Sequence, residues 1–347
     1  MRIAMARRPT INDLARASGV SVATVDRVLN GRLPVREATA RRVHEAAEAI
    51  GYHATSLIRR RLERDLPQYR LGFLLQRPDQ FFYQSFAREL ESAVSAAGAI
   101  RGTSRVEFLD SQTPAEIATK LKQIGSRCDA VAMVAIDHPT VSAAVADLKE
   151  QGVPVFALLS DFAPGVRENY LGLNNHKAGR TAAWLIARTA GEPGRVAVFV
   201  GSHRFHGHEM REIGFRSYFR EYAPRFETVD ALVNLEDRRI AHEATLDLLQ
   251  RAPDLRGIYV AGGGLDGVIA ALAEEGMAGK LTVICSEISP QSRAAIADNI
   301  VTMVIAEPIE RIAREVVAQM VQAIENGPAE TPGQIFLPFD IHVSENI

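Results

Sequence analysis

Residues 10–31 have the sequence TINDLARASGVSVATVDRVLNG, and this stretch decides how the start of the chain folds. Apolar residues recur at helical spacing after Thr10, and Asp13 stands three places on, as in an acidic capping box. Gly19 interrupts this pattern, and Ser21 can cap a second helix. The stretch therefore predicts two short helices joined by a tight turn, which is the arrangement of a helix-turn-helix.

Positive charge is concentrated around this stretch. Residues 1–66 hold 13 Lys+Arg against 7 Asp+Glu, whereas the remaining residues hold 27 against 35, within a formal net charge of −2. A basic head on an acidic body indicates that the head meets a polyanion and the body does not. A third helix, predicted over residues 35–50, would complete a small all-α headpiece.

Composition excludes several classes of protein. Hydrophobic residues make up 47% of the chain and charged residues 24%, which is unlike collagen, a disordered tail or a coiled-coil rod. No apolar run reaches the ~20 residues of a membrane span, and residues 1–8 lack the apolar core of a signal peptide. We therefore expect a cytoplasmic protein without a membrane partner. Cys128 and Cys285 are interpreted as buried structural thiols.

From residue 69 onward, apolar strand-like runs alternate with helical patterns. This alternation predicts parallel sheets covered by helices on both faces, and about 280 residues favour two lobes over one. A direct strand-to-strand step at residues 163–170 is the predicted lobe boundary. The expected organisation is a headpiece at 1–52, a hinge or linker at 53–68, and an α/β core at 69–347, with lobe 1 at about 69–163 and 302–328 and lobe 2 at about 164–301 and 329–347.

The second helix of the headpiece carries the candidate DNA-reading residues. The N-terminal residues of such a helix face base edges in the major groove. Arg27 can bond guanine or a phosphate, whereas Val22 and Ala23 offer apolar contact to a thymine methyl group. The alternative is a simple three-helix bundle in which Arg27 is a solvated side chain.

The same stretch closely resembles the headpiece of the lactose-repressor (LacI) family of bacterial transcription regulators. Residues 170–179 resemble the family's segment at the start of the second lobe, and residues 211–215 resemble its effector-binding arginine and the helix that follows. The resemblance implies a hinge helix, a core like a periplasmic sugar-binding protein, and a homodimer on a pseudo-palindromic operator of double-stranded DNA. It also implies that Val22, Ala23 and Arg27 read bases.

Two positions depart from the family pattern. Asp26 replaces a common serine, and it either places a negative charge near phosphate or orients Arg27. In the hinge, residues 53–55 replace the usual proline and asparagine, and Leu62, the nearest candidate for a minor-groove wedge, is one position out of register. The predicted DNA-binding residues are Thr10, Ser21, Val22, Ala23, Thr24, Arg27, Asn30, Arg59 and Leu62.

A ligand site is predicted where polar residues follow the strands of the core. Ligands of such folds bind at the carboxyl ends of parallel strands, in the cleft between lobes. Carboxylates, an arginine and phenylalanines suit a sugar or polyol, which presents paired hydroxyls and an apolar ring face. The predicted effector residues are Gln76, Phe82, Asp137, His138, Asp161, His208, Arg211, Asp266 and Glu287. Resemblance supports Asp137, Arg211 and Glu287 most strongly.

Three patterns suggest other chemistry, and none is favoured. The spacing of His206 and His208 fits two metal ligands on a strand but not on a helix, so a polar cleft loop is the preferred interpretation. No Lys-Ser/Thr follows the glycine run 262–264, so this run is interpreted as a place where a ligand approaches the backbone. No base accompanies Ser160 as a nucleophile. We therefore predict no catalytic residue, no metal and no cofactor.

The sequence as a whole predicts a ligand-responsive transcription regulator, a repressor whose effector changes operator affinity through the hinge. A periplasmic solute-binding protein without a regulatory role is the alternative, since it would share the body, but it would need an export signal and no head. An α/β enzyme would need a matched acid, base or nucleophile, and the chain offers no such set.

Overall fold

A computed structural model of the chain describes residues 8–30, 35–58, 66–329 and 331–347. The chain divides into two compact units, Met1–Tyr69 with Ala97–Arg101, and Arg70–Ala96 with Gly102–Ile347. Among the described residues, none of the helices combines the length and the apolar character that a bilayer crossing needs.

The first unit is a small helical headpiece. Its helices are α1 (Ile11–Ser18), α2 (Val22–Asn30) and α3 (Glu37–Ala49), and residues 55–58 are again helical. One side of each helix is apolar, and Leu14, Val25 and Val43 are fully buried against one another. Ile58 completes this core, so the start of the predicted hinge packs into the headpiece.

Two parallel sheets form the second unit, in agreement with the predicted α/β class. The first sheet has the order β12-β5-β4-β3-β1-β2, and in the second the order is β13-β11-β10-β9-β6-β7, with β8 beside β6. All described pairings of the core are parallel except that of β13 with β11. The strands are β1 (Gln68–Gln76), β2 (Arg101–Leu109), β3 (Ala130–Met133), β4 (Val155–Leu158), β5 (Asn169–Gly172), β6 (Arg195–Val200), β7 (Glu227–Thr228), β8 (Leu232–Val233), β9 (Leu255–Val260), β10 (Thr282–Cys285), β11 (Met303–Ala306), β12 (Gly333–Phe336) and β13 (Asp340–His342).

Helices cover both sheets and complete two separate apolar cores in the second lobe, one on each face of its sheet. In the first lobe, α12 packs against α4, β3 and β5. The helices of this unit are α4 (Phe81–Ala96), α5 (Pro114–Gly125), α6 (Pro139–Glu150), α7 (Asn175–Thr189), α8 (His206–Tyr222), α9 (Arg238–Arg251), α10 (Leu265–Glu274), α11 (Pro290–Ala297) and α12 (Ile309–Asn326).

The strand order corrects the predicted lobe boundaries. β5 pairs with β4 in the first sheet, so the step at residues 163–170 joins neighbouring strands of one lobe and the chain crosses only after Gly172. A buried ion pair between Asp161 and Arg167 holds this short connection. At the other end of the chain, β11 belongs to the second sheet and β12 to the first, which reverses the predicted assignments of those two strands, whereas β13 lies in the second sheet, the lobe in which it was placed.

Candidate nucleic-acid interface and ligand cavity

Local hydrogen bonds fix the turn between α1 and α2. The side chain of Asp13 accepts from the backbone N–H of Thr10 at 2.9 Å and from its hydroxyl at 2.7 Å, which closes the predicted capping box. Gly19 ends α1 at φ +65°, a conformation that favours glycine. The hydroxyl of Ser21 then accepts from the backbone N–H of Thr24 at 3.2 Å at the start of α2. Thr10 and Ser21, both predicted to bind DNA, are therefore helix caps.

The first turn of α2 presents an exposed face. Val22, Ala23 and Arg27 are exposed, whereas Val25 and Val28 turn into the headpiece core. Among the described residues, Arg27 has no ion-pair or hydrogen-bond partner for its guanidinium group. This face therefore keeps the donors of Arg27 available for a partner outside the headpiece.

Asp26 does not orient Arg27. Its carboxylate instead accepts a hydrogen bond at 2.6 Å from the side-chain amide of Asn30, one turn further along α2. Asn30, a predicted DNA contact, is thereby engaged within its own helix. Of the other predicted DNA contacts, Thr24 is half-buried, and Arg59 and Leu62 lie outside the described residues.

The core contains a cavity of about 70 Å³ in the cleft between its lobes. A water molecule needs roughly 10–15 Å³ on the same measure, so the cavity suits a small polar molecule. Lobe 1 contributes Phe82 and Ser160, and lobe 2 contributes Phe205 and Arg211, so both lobes form its wall. The complete lining is Gln80, Phe82, Tyr83, Val134, Leu159, Ser160, Phe205, Gly207, His208, Arg211, Glu236, Gly262, Gly263, Ser286, Glu287 and Glu307.

Arg211 is held in the cavity wall by three groups. Its Nε donates to Asn175 at 2.7 Å, one terminal nitrogen donates to the carbonyl oxygen of Ala261 at 2.8 Å, and the other pairs with Glu307. Close packing of α7 and α8 positions this arginine, because a Cβ atom at Gly179 would overlap the Arg211 carbonyl group. The guanidinium group is thus charged, buried and fixed in direction.

A histidine and a glutamate stand opposite each other in the second lobe. His208 Nε2 lies 3.9 Å from Glu236 Oε1, beyond hydrogen-bond distance. Burial, together with the charge of Arg211, lowers the pKa of His208 to about 3, so its imidazole is neutral at pH 7. Burial raises the pKa of Glu236 above its ordinary value.

The glycine run makes room for these two side chains. A Cβ atom at Gly262 would lie 2.8 Å from the His208 ring, and one at Gly263 would lie 2.9 Å from Cβ of Glu236. The sequence pattern alone predicts that a ligand approaches the backbone at this run. In the structure, the absence of side chains at Gly262 and Gly263 makes room for His208 and Glu236, which belong to the cavity wall itself.

Glu287 follows β10 at the cavity wall and is half-buried. Burial raises the pKa of its carboxyl group to about 7, and the negative charges of Asp266 and Glu236 add to the rise. Asp266 itself is exposed on the first turn of α10 and does not line the cavity.

The structure brings four of the nine predicted effector residues to the cavity: Phe82, His208, Arg211 and Glu287. Besides Asp266, four others lie elsewhere because they have local structural partners. Gln76 donates to the carbonyl oxygen of Val134 at 2.7 Å, and Asp161 is paired with Arg167. Asp137 accepts from the backbone of Ala163, and His138 caps α6.

Two acidic residues of the lining, Glu236 and Glu307, are not among the predicted effector residues. Glu307 directly follows β11, so the rule that polar residues after strands line the cleft would have found it. Glu236 was hidden because β8 has two residues only and gives a weak strand pattern. Both are nine-tenths or more buried, and both have one carboxylate oxygen without a hydrogen-bond partner.

The histidine-rich segment does not converge on one point. His203 contacts Glu212, His206 contacts Glu209, and His208 faces the cavity. Within the described ranges, no three His, Cys, Asp or Glu side chains are grouped so that they could hold a metal ion.

Known proteins match both units. The profile of bacterial regulatory proteins of the lacI family matches residues 10–55, and that of the periplasmic binding protein domain matches residues 71–328. The transcriptional regulator GalR of Escherichia coli K12 is 27% identical over 210 residues, 59% of this chain and 57% of that protein. GalS of Salmonella typhimurium is 23% identical over 272 residues, 78% of this chain and 76% of that protein.

Solved structures of sugar-binding proteins superpose on about four-fifths of the chain. A solute-binding protein of an ABC transporter from Burkholderia graminis, in complex with D-arabinose, superposes with a TM-score of 0.73 at 19% identity, covering 81% of this chain and 96% of that one. At this identity the likeness establishes the fold. The aligned stretches span 57 to 58% of the length of the first curated relatives.

The chain combines a helix-turn-helix headpiece with a two-lobed core that contains a cavity between its lobes. This combination defines a class of regulatory proteins that are built on a solute-binding fold. The chain belongs to the LacI family of bacterial regulatory proteins, and most of its length is a periplasmic binding protein domain. The matched families are regulators and binding proteins, not enzymes.

Proposed function

We propose that the chain is a ligand-responsive transcription regulator, a repressor that acts on double-stranded DNA in the cytoplasm. One observation carries the proposal: the same chain has an exposed helix face whose Arg27 has no partner in the described part of the chain, and a cavity that buried charges line. The first feature suits a nucleic acid and the second suits a small molecule.

On DNA, α2 lies in the major groove with Val22, Ala23 and Arg27 toward base edges. Arg27 supplies a bidentate contact to guanine or to a phosphate, and the basic headpiece supplies long-range attraction. Two copies of the chain form a homodimer that binds a pseudo-palindromic operator, with half-sites about one helical turn apart. In the linker, Arg59 contacts phosphate and Leu62 is the candidate wedge for the minor groove.

In the core, a sugar or related polyol binds between the lobes. Phe82 and Phe205 offer apolar surface to a ring face, while the carboxylates and Arg211 bond hydroxyl groups. The lobes already meet across the cavity, where the backbone N–H of Gly207 donates to Ser160 at 3.0 Å. The D-arabinose complex of a similar fold and the name of a relative, the D-allose-binding periplasmic protein of Escherichia coli, support this ligand class.

Binding of the ligand shifts the equilibrium between open and closed lobes, and this shift changes how well the paired linkers support the DNA-bound arrangement. A coupling free energy of roughly 1 to 3 kcal/mol would change operator affinity about 5- to 150-fold.

Selection from a random-sequence duplex library, followed by fluorescence anisotropy, tests the DNA function. We expect enrichment of a pseudo-palindromic sequence, binding that weakens steeply with salt, and an affinity change when the cognate sugar or polyol is added. A chain that enriches no sequence, yet binds a sugar, would be a solute-binding protein without a regulatory role. The headpiece is the feature that favours the regulator, because the core is common to both.

A further inference from the structure

The charges that line the cavity do not balance. Three carboxylates, Glu236, Glu287 and Glu307, face one guanidinium group, that of Arg211. Arg211 is already bonded to Glu307, and His208 is neutral at pH 7. Two acidic residues of the wall are therefore left without a positive partner in the cavity.

Glu236 is the more deeply placed of these two residues. It is 8% exposed, and its Oε2 atom has no hydrogen-bond partner. Arg77 approaches from the end of β1, but its guanidinium group donates to the carbonyl oxygen of Leu235 at 2.8 Å and lies outside the cavity lining. A buried carboxylate oxygen without a donor is costly, and a donor on a ligand would remove that cost.

Glu287 also lacks a partner in the described part of the chain, although it is half-buried and solvent reaches part of its side chain. Among the described residues, its carboxylate has neither an ion-pair nor a hydrogen-bond partner. The charged groups that face it, Asp266 and Glu236, are both acidic. When lobe closure excludes water, repulsion between these carboxylates grows, because charges interact more strongly at low dielectric constant.

A neutral sugar supplies hydroxyl donors but no charge, and an acidic ligand would add to the repulsion. A metal ion would need converging ligands, and no such group exists in the described part of the chain. The following inference rests on the proposed function. We infer that the ligand of this cavity is a polyol or sugar that carries a protonated amine. Its ammonium group lies between Glu236 and Glu287, and its apolar ring face lies toward Phe82 and Phe205.

The test is isothermal titration calorimetry of the full chain with matched sets of ligands. Each set contains a 2-amino-2-deoxyhexose or a 1-amino-1-deoxyalditol, its neutral parent and its N-acetyl derivative. We expect at least one amine to bind tenfold or more tightly than both partners of its set. An alkyl ammonium stays protonated to about pH 10, so amino-alditol binding should strengthen from pH 6 to pH 8 as Glu287 loses its proton.

Variants assign the effect to the two glutamates. Glu236→Gln should reduce the preference for the amine to less than threefold, and Glu287→Gln should reduce it and abolish its rise with pH. Glu209→Gln removes an exposed acid from the first turn of α8 and should leave the preference unchanged. Thermal unfolding of the ligand-free variants confirms that each one folds.

Amines that bind no better than their neutral parents, or a panel in which no amine binds, would overturn the inference. Binding by calcium or magnesium chloride alone, competitive with the polyol, would overturn it too. Operator affinity measured on the same samples separates the two proposals. If a neutral sugar alters DNA binding, the proposed regulatory function stands and the inference of an amine-bearing ligand is rejected. If an amine binds without altering operator affinity, the inferred ligand class is supported and the proposed coupling between ligand and DNA binding is rejected.

Discussion

Two arginines, one in each unit, show opposite ways of preparing a charged group for a partner. Arg27 is exposed on α2 and has no partner among the described residues, so water solvates it in the free protein and the proposed DNA contact would replace that water. Arg211 is buried and bonds Asn175, Ala261 and Glu307 within the core. The headpiece therefore keeps its binding group free, and the core fixes its own in advance.

This difference has an energetic consequence. Removing a solvated side chain costs the free protein little, whereas removing one member of a buried ion pair leaves the other charge uncompensated. We therefore expect substitutions in the headpiece to act on affinity and substitutions in the cavity wall to act on stability as well. The predictions below test that separation.

Arg211→Ala should have the largest effect. It leaves Glu307 buried without its cation, and the loss of folding free energy should be roughly 3–5 kcal/mol. Chemical denaturation of the full chain, followed by circular dichroism, measures the change. Arg220→Ala is the matched control, because Arg220 lies on the same helix and its contact with Glu221 is exposed to solvent, where the cost is about 0–1 kcal/mol. Equal losses in the two variants would contradict the assignment of Arg211 as a buried, structurally required cation.

Arg27→Ala should weaken specific operator binding by about 1 to 3 kcal/mol and leave the unfolding transition unchanged. The reason is that its guanidinium group makes no ion pair or hydrogen bond with the described residues of the headpiece. Fluorescence anisotropy with the selected operator measures the affinity, and Arg16→Ala, an exposed arginine of α1, serves as the control. Unchanged affinity for Arg27→Ala, or a loss of stability of similar size, would reject the role in base or phosphate contact.

The sequence predicted the headpiece well because its pattern is local. The capping box at Thr10, the turn at Gly19 and the helical apolar spacing each depend on residues a few positions apart. The α/β class followed from the alternation of patterns for the same reason. The predicted lobe boundaries were wrong at β11 and β12, because these are short strands whose sheet is decided by contacts far along the chain.

The cavity was predicted only in part, because strand ends indicate where polar residues cluster but not which way they turn. Asp161 lies three residues after the end of β4, yet it bonds Arg167 at 2.7 Å and stays within its own connection. Its neighbour Ser160 lines the cavity instead. Glu236 follows a strand of two residues, and its burial depends on glycines in a different loop. Such choices depend on three-dimensional packing that spacing alone does not encode.

Thr10→Ala should lower the stability of the headpiece by about 1 kcal/mol, the usual cost of a lost helix cap. Because Thr10 is engaged with Asp13, we expect weaker overall DNA binding with no change in the preferred sequence. Thermal unfolding and a repeated site selection measure the two effects. Thr10→Ser keeps the hydroxyl group and should behave like the natural chain. An altered operator preference in Thr10→Ala would show a direct contact with DNA and would contradict the capping role.

Asp26→Ser should have the smallest effect, and it should be favourable. The carboxylate of Asp26 is bonded to Asn30 and not to Arg27, so its removal leaves the guanidinium group of Arg27 as it is and eliminates a negative charge from the proposed DNA-facing helix. We expect operator affinity to rise by about 0.2–1 kcal/mol at low salt, and the gain to fade as salt screens the charge. Anisotropy titrations at several salt concentrations measure this trend, with Asp26→Asn as the uncharged variant closest in shape. A loss of affinity in both variants would mean that Asp26 positions Arg27 in the DNA complex. Arg27 would then have to change its surroundings on binding, and the free headpiece would not hold it ready for DNA as its exposure indicates.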